Sequence, residues 1–126
     1  MILIDSSCWL EYFAGTENCK DYKKEIENID NVLVPSIVIY EVCKKLLIET
    51  TEDNTIIAIA HMELGRVIDV DSELAISGAR LSLLYQIPMA DSIILAVAKK
   101  FSARLFTHDE HFSKIPDVSF IPKGQF

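Results

Sequence analysis

Short runs of branched apolar residues recur along this chain, and each is followed by a longer stretch with helical spacing. Ile2-Leu3-Ile4 reads as a short buried strand, and Val32-Leu33-Val34, Val67 to Val70, Arg104 to Phe106 and Val118 to Ile121 read as further short strands. Between them, Ser7 to Phe13 forms a helix ending near Gly15. Asn18 to Ile29 carries an acid-and-lysine helix pattern. A long helix opens at Pro35-Ser36, with Val38, Val42 and Leu46 at four-residue steps. Asp53 or Asn54 is expected to cap the next helix, which runs toward Leu64 and stops at Gly65. Asp71 or Ser72 caps one that reaches Tyr85. After Pro88, a helix runs from about Ala90 to Phe101. Strands that alternate with helices pair in parallel, because the crossover helix returns the chain to the same end of the sheet. The pattern predicts an α/β fold: a central parallel sheet of four to five short strands, flanked by helices in three layers. Chemistry in such sheets gathers at the carboxyl ends of the strands.

The chain has 126 residues, half of them hydrophobic and 25% charged. This fits one domain over residues 1–126 with a sizeable core, and it excludes disorder. The longest purely apolar run, Ile93 to Ala98, falls far short of the ~20 residues of a membrane span. The start, Met1-Ile2-Leu3-Ile4-Asp5, has no basic segment and no long apolar one, so no signal peptide is expected. Cys8, Cys19 and Cys43 are odd in number and widely spaced. They read as free thiols of a reducing cytoplasm rather than as a disulfide or a zinc site.

The net charge of −7 argues against a nucleic-acid partner, since phosphate contacts need lysine and arginine. Two features offset it. Four of the acids fall where a divalent cation would neutralise them. The basic residues also cluster, as Lys20, Lys23 and Lys24; Lys44 and Lys45; and Lys99, Lys100 and Arg104. Solvated helix faces explain those clusters equally well.

Those four acids are Asp5, Glu41, Asp91 and Asp109. Each has an ordinary explanation. Asp5 closes the first strand and is placed to cap the following helix. Glu41 lies on the long apolar helix, four residues before Lys45, where a surface ion pair contributes only ~0.3–0.5 kcal/mol. Asp91 sits in the first turn of the helix after Pro88, where the helix dipole favours an acid. Asp109 follows the strand ending at Phe106, a turn position that favours aspartate. Their joint placement outweighs these separate readings, because all four fit one end of the sheet.

Convergence there requires a counter-charge. Two unit charges ~4 Å apart repel by ~4 kcal/mol at an effective dielectric near ~20. Several carboxylates in one pocket are stable only when protonated or metal-bound. Oxygen ligands select hard cations, Mg2+ or Mn2+. Such a centre suits phosphodiester hydrolysis and needs no serine, cysteine or lysine nucleophile.

At these residues the sequence resembles the PIN-domain ribonucleases, specifically the VapC-type toxins of toxin–antitoxin pairs. Ile4-Asp5-Ser6-Ser7 with Trp9 is similar to that family's first motif. Val34-Pro35-Ser36 followed by Tyr40-Glu41-Val42 is similar to the second. Pro88-Met89-Ala90-Asp91-Ser92, leading into Ile93, Ile94 and Ala96, is similar to the third. Phe106-Thr107-His108-Asp109, with His111 and Phe112, is similar to the fourth. The resemblance implies a PIN-like fold over essentially the whole chain. It implies that Asp5, Glu41, Asp91 and Asp109 are catalytic and hold one or two Mg2+ or Mn2+ ions. Ser6 and Thr107 then support them through hydroxyl hydrogen bonds. It further implies endonucleolytic cleavage of RNA in the cytoplasm, a homodimer, and a cognate antitoxin whose peptide covers the site.

His108 stands where the family often has arginine, so weak phosphate contact is expected there. His108 and His111 together read as an exposed turn rather than metal ligands. His61 reads as structural, and Glu110 as solvent-facing. Trp9, Tyr12 and Phe13 read as core or dimer contact rather than a base-stacking platform. Leu81, Leu84 and Tyr85 read as core or subunit interface.

Two other functions fit the pattern. A phosphoacceptor receiver domain has similar length and acids at strand ends. It usually carries adjacent acids after its first strand and a late lysine followed by proline. Here Asp5 precedes Ser6, and the late pair is reversed as Pro122-Lys123. A non-catalytic PIN-like binding module is the other, but it has no need of four carboxylates.

Overall fold

The computed structural model describes residues 1–124. Five strands form one sheet in the order β3-β2-β1-β4-β5, with every neighbouring pair parallel. They are β1 (Ile2–Ile4), β2 (Val32–Pro35), β3 (Arg66–Ile68), β4 (Arg104–Thr107) and β5 (Val118–Phe120). The helices are α1 (Ser6–Ala14), α2 (Lys23–Glu27), α3 (Ser36–Glu49), α4 (Glu52–Met62), α5 (Ser72–Tyr85) and α6 (Met89–Lys100). The expected α/β architecture with a flanked parallel sheet is what forms. The last two positions of the expected 1–126 domain lie outside the described residues.

The strand order decides one alternative. A receiver domain is built on the order 2-1-3-4-5. In this sheet β1 lies between β2 and β4, so the receiver reading is incorrect.

The sheet centre is the core. Leu3, Ile4, Leu33, Val34, Leu105 and Phe106 are buried. Central parallel strands are covered on both faces, which accounts for their unbroken apolar runs. Helix α6 buries seven of its residues, from Asp91 to Ala98, as its all-round apolar character demands. Helix α5 packs on α6 through Gly78. A Cβ there would stand 3.2 Å from Ile93 Cγ1, so the close approach depends on glycine. Gly15 ends α1 at φ 70°, a left-handed conformation that glycine adopts without strain.

Two local expectations fail. Asn18 to Ile29 does not form one helix. Only Lys23–Glu27 is α-helical, between 3₁₀ turns at Glu17–Cys19 and Ile29–Asn31. Tertiary packing overrides the charge pattern, because Cys19, Tyr22 and Ile26 are drawn into the core. Helix α4 is capped by Thr51, whose hydroxyl accepts the Asn54 N–H at 3.1 Å, not by Asp53 or Asn54. Glu52 and Asp53 fall inside its first turn, where the dipole favours acids. The cap of α5 is Asp71, whose Oδ1 accepts the Leu74 N–H at 2.9 Å.

Among the described residues no single helix is long and apolar enough to cross a membrane. Cys8, Cys19 and Cys43 are free; the first two are buried and Cys43 is half-buried. Trp9 is fully buried, and His61 packs edge-on against Trp9, Tyr12 and Phe13. Leu81 and Tyr85 pack on the core, whereas Leu84 is exposed.

Candidate functional site

Strand order reverses between β1 and β4, and ligands of open α/β sheets bind in the crevice at such a point. Asp5 leaves β1 there. Its backbone N–H donates to Phe106 O at 3.0 Å, which ties it to β4. The side chain is 2% exposed and does not cap α1. Its Oδ2 instead accepts the Thr107 hydroxyl at 2.7 Å and the Ser7 hydroxyl at 3.0 Å. Burial pushes this carboxyl above the ordinary range; the Thr107 and Ser7 hydroxyls oppose the rise, and the Asp109 charge adds to it.

Glu41 projects from the second turn of α3. The ion pair with Lys45 does not form, because Lys45 pairs with Glu49 at 3.2 Å. The Oε1 of Glu41 is buried without a hydrogen-bond partner. Burial, then the Asp5 charge, pushes its carboxyl up to about 7, while the Ser6 hydroxyl opposes this.

Asp91, 7% exposed, lies in the first turn of α6 and makes no cap bond. Its Oδ2 stands 2.8 Å from His111 Nδ1. Burial and the Asp109 charge push it up to about 6, against the pull of His111.

Asp109 fills its ordinary turn role and still reaches the cavity. Its Oδ1 accepts the His111 backbone N–H at 2.9 Å and lies 3.2 Å from His111 Nδ1. The Asp109 N–H donates to Thr107 Oγ1 at 2.9 Å, so one hydroxyl links Asp5 and Asp109.

All four acids line one cavity of about 470 Å³, together with Ser6, Glu11, Lys45, Glu49 and Lys123. Six lining carboxylates therefore face two lysines, and both lysines pair with rim acids: Lys45 with Glu49, and Lys123 with Glu11 at 3.0 Å. The four inner carboxylates have no lysine or arginine partner among the described residues. A donor set of crowded oxygens with one buried, unpartnered oxygen fits a hard divalent cation.

Three side chains depart from expectation. Ser7, which the sequence does not single out, joins Thr107 in supporting Asp5, while the Ser6 hydroxyl bonds Glu41 as a supporting residue should. His108 is not on an exposed turn. It is 7% exposed, with Nδ1 2.7 Å from Ile121 O and Nε2 2.7 Å from the Tyr22 hydroxyl. A position with both ring nitrogens engaged makes no phosphate contact. His111 is surface-exposed but joined to Asp91 and Asp109, and the three side chains offer ligand atoms within 4.8 Å of one another. The signal available in the sequence was its spacing, since a residue two after a turn aspartate returns its N–H to that carboxylate. Glu110 is exposed as expected.

These features define a class: an α/β protein whose carboxylates gather where the order of parallel strands reverses. The family is narrower. The PIN domain family model matches residues 2–118, and the chain belongs to that family. No curated relative matches the sequence. Among solved structures, it is similar to a toxin–antitoxin complex from Klebsiella pneumoniae at 23% identity and a TM-score of 0.77, covering 94% of this chain and 95% of that one. It is similar to VapC20 of Mycobacterium tuberculosis, a sarcin–ricin loop cleaving toxin, at 20% identity and a TM-score of 0.76, covering 97% and 100%. A promoter-bound VapBC2 complex from Rickettsia felis gives 15% identity, a TM-score of 0.74 and coverage of 97% and 98%. At these identities the likeness establishes the fold.

Proposed function

We propose that this chain is a divalent-metal-dependent endoribonuclease and the toxin half of a toxin–antitoxin pair, acting in the cytoplasm. The observation that carries the reading is the cavity at the strand-order reversal, where four inner carboxylates stand without lysine or arginine and Glu41 Oε1 has no partner. Asp5, Glu41, Asp91 and Asp109 are the residues that hold Mg2+ or Mn2+. When bound, such an ion supplies an activated water and offsets charge on the phosphate and leaving oxygen.

The chain's own contribution is positioning. Thr107 and Ser7 fix the rotamer of Asp5 through its Oδ2. Thr107 also fixes the backbone of Asp109. In the metal-free chain burial and the Asp5 charge push the Glu41 carboxyl up to about 7, so a cation bound there displaces its proton. The negative rim disfavours an RNA backbone until the cavity is neutralised, so RNA binding is expected to depend on metal.

The antitoxin reading rests on a second groove of about 450 Å³, lined by Phe13, Leu46, Ile57 and Ala58. It shares Leu10, Ala14 and Glu49 with the acidic cavity. A peptide with an apolar face and one basic side chain fits the two together. The homodimer belongs to the same reading: Ile76, Leu83, Leu84 and Met89 stand exposed on α5 and at the start of α6. Sedimentation of the purified chain measures that association.

The function is tested with purified chain, free of any partner, incubated with RNA in Mn2+, Mg2+ or EDTA. Cleavage with either ion and none in EDTA is expected, with loss in Asp91→Asn. Intact RNA under every metal condition overturns the enzyme reading and leaves a binding module.

A further inference from the structure

The chain has three histidines, and only one has a nitrogen in contact with the acids. His61 is held in the aromatic cluster of α1. His108 spends both nitrogens on Tyr22 and Ile121. His111 instead directs Nδ1 at two of the cavity's acids, 2.8 Å from Asp91 Oδ2 and 3.2 Å from Asp109 Oδ1. Its place is fixed by its own backbone, since its N–H donates to Asp109 Oδ1 at 2.9 Å. Metal bonds of ~2.1 Å at right angles place neighbouring ligand atoms ~3 Å apart. In the metal-free chain these two separations are a hydrogen bond and an ion pair, and they already hold one ligand atom from each of the three side chains within 4.8 Å of the others.

We infer that His111 is a ligand of the metal ion alongside Asp91 and Asp109, and that its nitrogen makes this centre select Mn2+ over Mg2+. The inference rests on the metal-dependent reading above. Mg2+ keeps oxygen ligands and several waters and rarely accepts imidazole. Mn2+ shares Mg2+'s preference for carboxylate oxygen, but as a transition ion it bonds an imidazole nitrogen more strongly than Mg2+ does. A four-carboxylate centre alone gives little reason to discriminate between the two ions. One imidazole among the donors supplies that reason.

The test uses the full chain, wild type and His111→Ala, titrated with MnCl2 and with MgCl2 by calorimetry. Pulsed electron paramagnetic resonance of the Mn2+-loaded protein reads directly bound nitrogen. Wild type is expected to bind Mn2+ at least ~10-fold tighter than Mg2+ and to show imidazole ¹⁴N coupling. His111→Ala is expected to lose the coupling and most of the Mn2+ preference, with Mg2+ affinity changed less than ~3-fold. Tight Mn2+ binding without ¹⁴N coupling in the wild type overturns this inference and leaves the metal-dependent reading intact. Tighter binding of both ions in His111→Ala also overturns it, and marks the imidazole as a stand-in cation. No binding of either ion to wild type overturns both readings.

Discussion

Two polar regions share the carboxyl end of β4, and they are built on opposite terms. One surrounds His108. Its Nδ1–H donates to the Ile121 carbonyl, which leaves Nε2 to accept the Tyr22 hydroxyl, both at 2.7 Å. Its backbone N–H donates to Ser7 Oγ at 3.1 Å. Each buried polar atom of that ring has a partner, as stable interiors require. The other region begins one residue later. Asp109, Asp91, Asp5 and Glu41 crowd a cavity in which burial raises three of the four carboxyls. Ser7 bridges the two, accepting from His108 and donating to Asp5. The closed network holds the chain in place, and in the crowded one Glu41 Oε1 is buried without a partner. A polar group serving the fold is satisfied within it, whereas in the proposed function the crowded carboxylates are completed by the ion they hold.

The largest expected effect would break the contrast if it failed to appear. Asp91→Asn should reduce Mn2+-dependent RNA cleavage more than ~100-fold, measured on labelled RNA with protein shown to be folded. Retained cleavage would make the acidic cavity a structural feature like its neighbour. His108→Ala should act on stability instead. It leaves the Tyr22 hydroxyl and the Ile121 carbonyl without partners, and should cost about 2–4 kcal/mol by urea denaturation. Cleavage per folded molecule should survive, and a selective loss of activity would place His108 in the site.

The pH dependence sharpens the comparison further. The carboxyls of Glu41 and Asp91 are raised to about 7 and about 6, from ordinary values of 4.5 and 3.8. A raised acid holds its proton more tightly in the folded state. The stability it contributes is present at low pH and is lost as pH rises through the folded value. The raised value of His111, caused first by its bond to Asp91 and then by the Asp109 charge, has the same sign. Metal-free protein should therefore be about 2 kcal/mol more stable at pH 5 than at pH 7.5. Saturating Mn2+ should flatten or reverse that slope, since metal and protons compete for the same oxygens. A flat profile without metal would show that the carboxylates are not under strain.

The smallest effect is Glu41→Gln. Removing one charge from the crowd should stabilise metal-free protein by about 1 kcal/mol and weaken the thermal stabilisation given by Mn2+. This position is a cleaner probe than Asp5, whose carboxylate holds two hydroxyls in place. A destabilised Glu41→Gln would mean that its charge is already balanced.

Much of this was legible in the chain. The strand at Ile2–Ile4, a second one over Val32 to Val34, a cap at Asp71 or Ser72 and the helix it starts follow from local periodicity and local hydrogen bonding. These depend on neighbours in sequence, so sequence suffices to find them. The four acids were likewise visible, because each follows a strand or lies on a helix that follows a strand or a proline-marked loop. Their meeting in one cavity depends on tertiary packing, which brings together residues far apart in the chain. Two histidines three residues apart looked alike in sequence and proved opposite in role, one sealed by Tyr22 and one open to Asp91. Neither partner lies near its histidine in the chain.

The tertiary structure decided what those local signals could not. Placing β1 beside β4 brings Asp5 against Thr107, 102 positions away, and creates the reversal point where the cavity opens. Strand order comes from how crossover helices pack, and no residue's own preference encodes it. The sequence by itself determined which groups carry charge and which elements carry them. Packing alone determined which of those charges are buried together, and hence which carboxyls are raised.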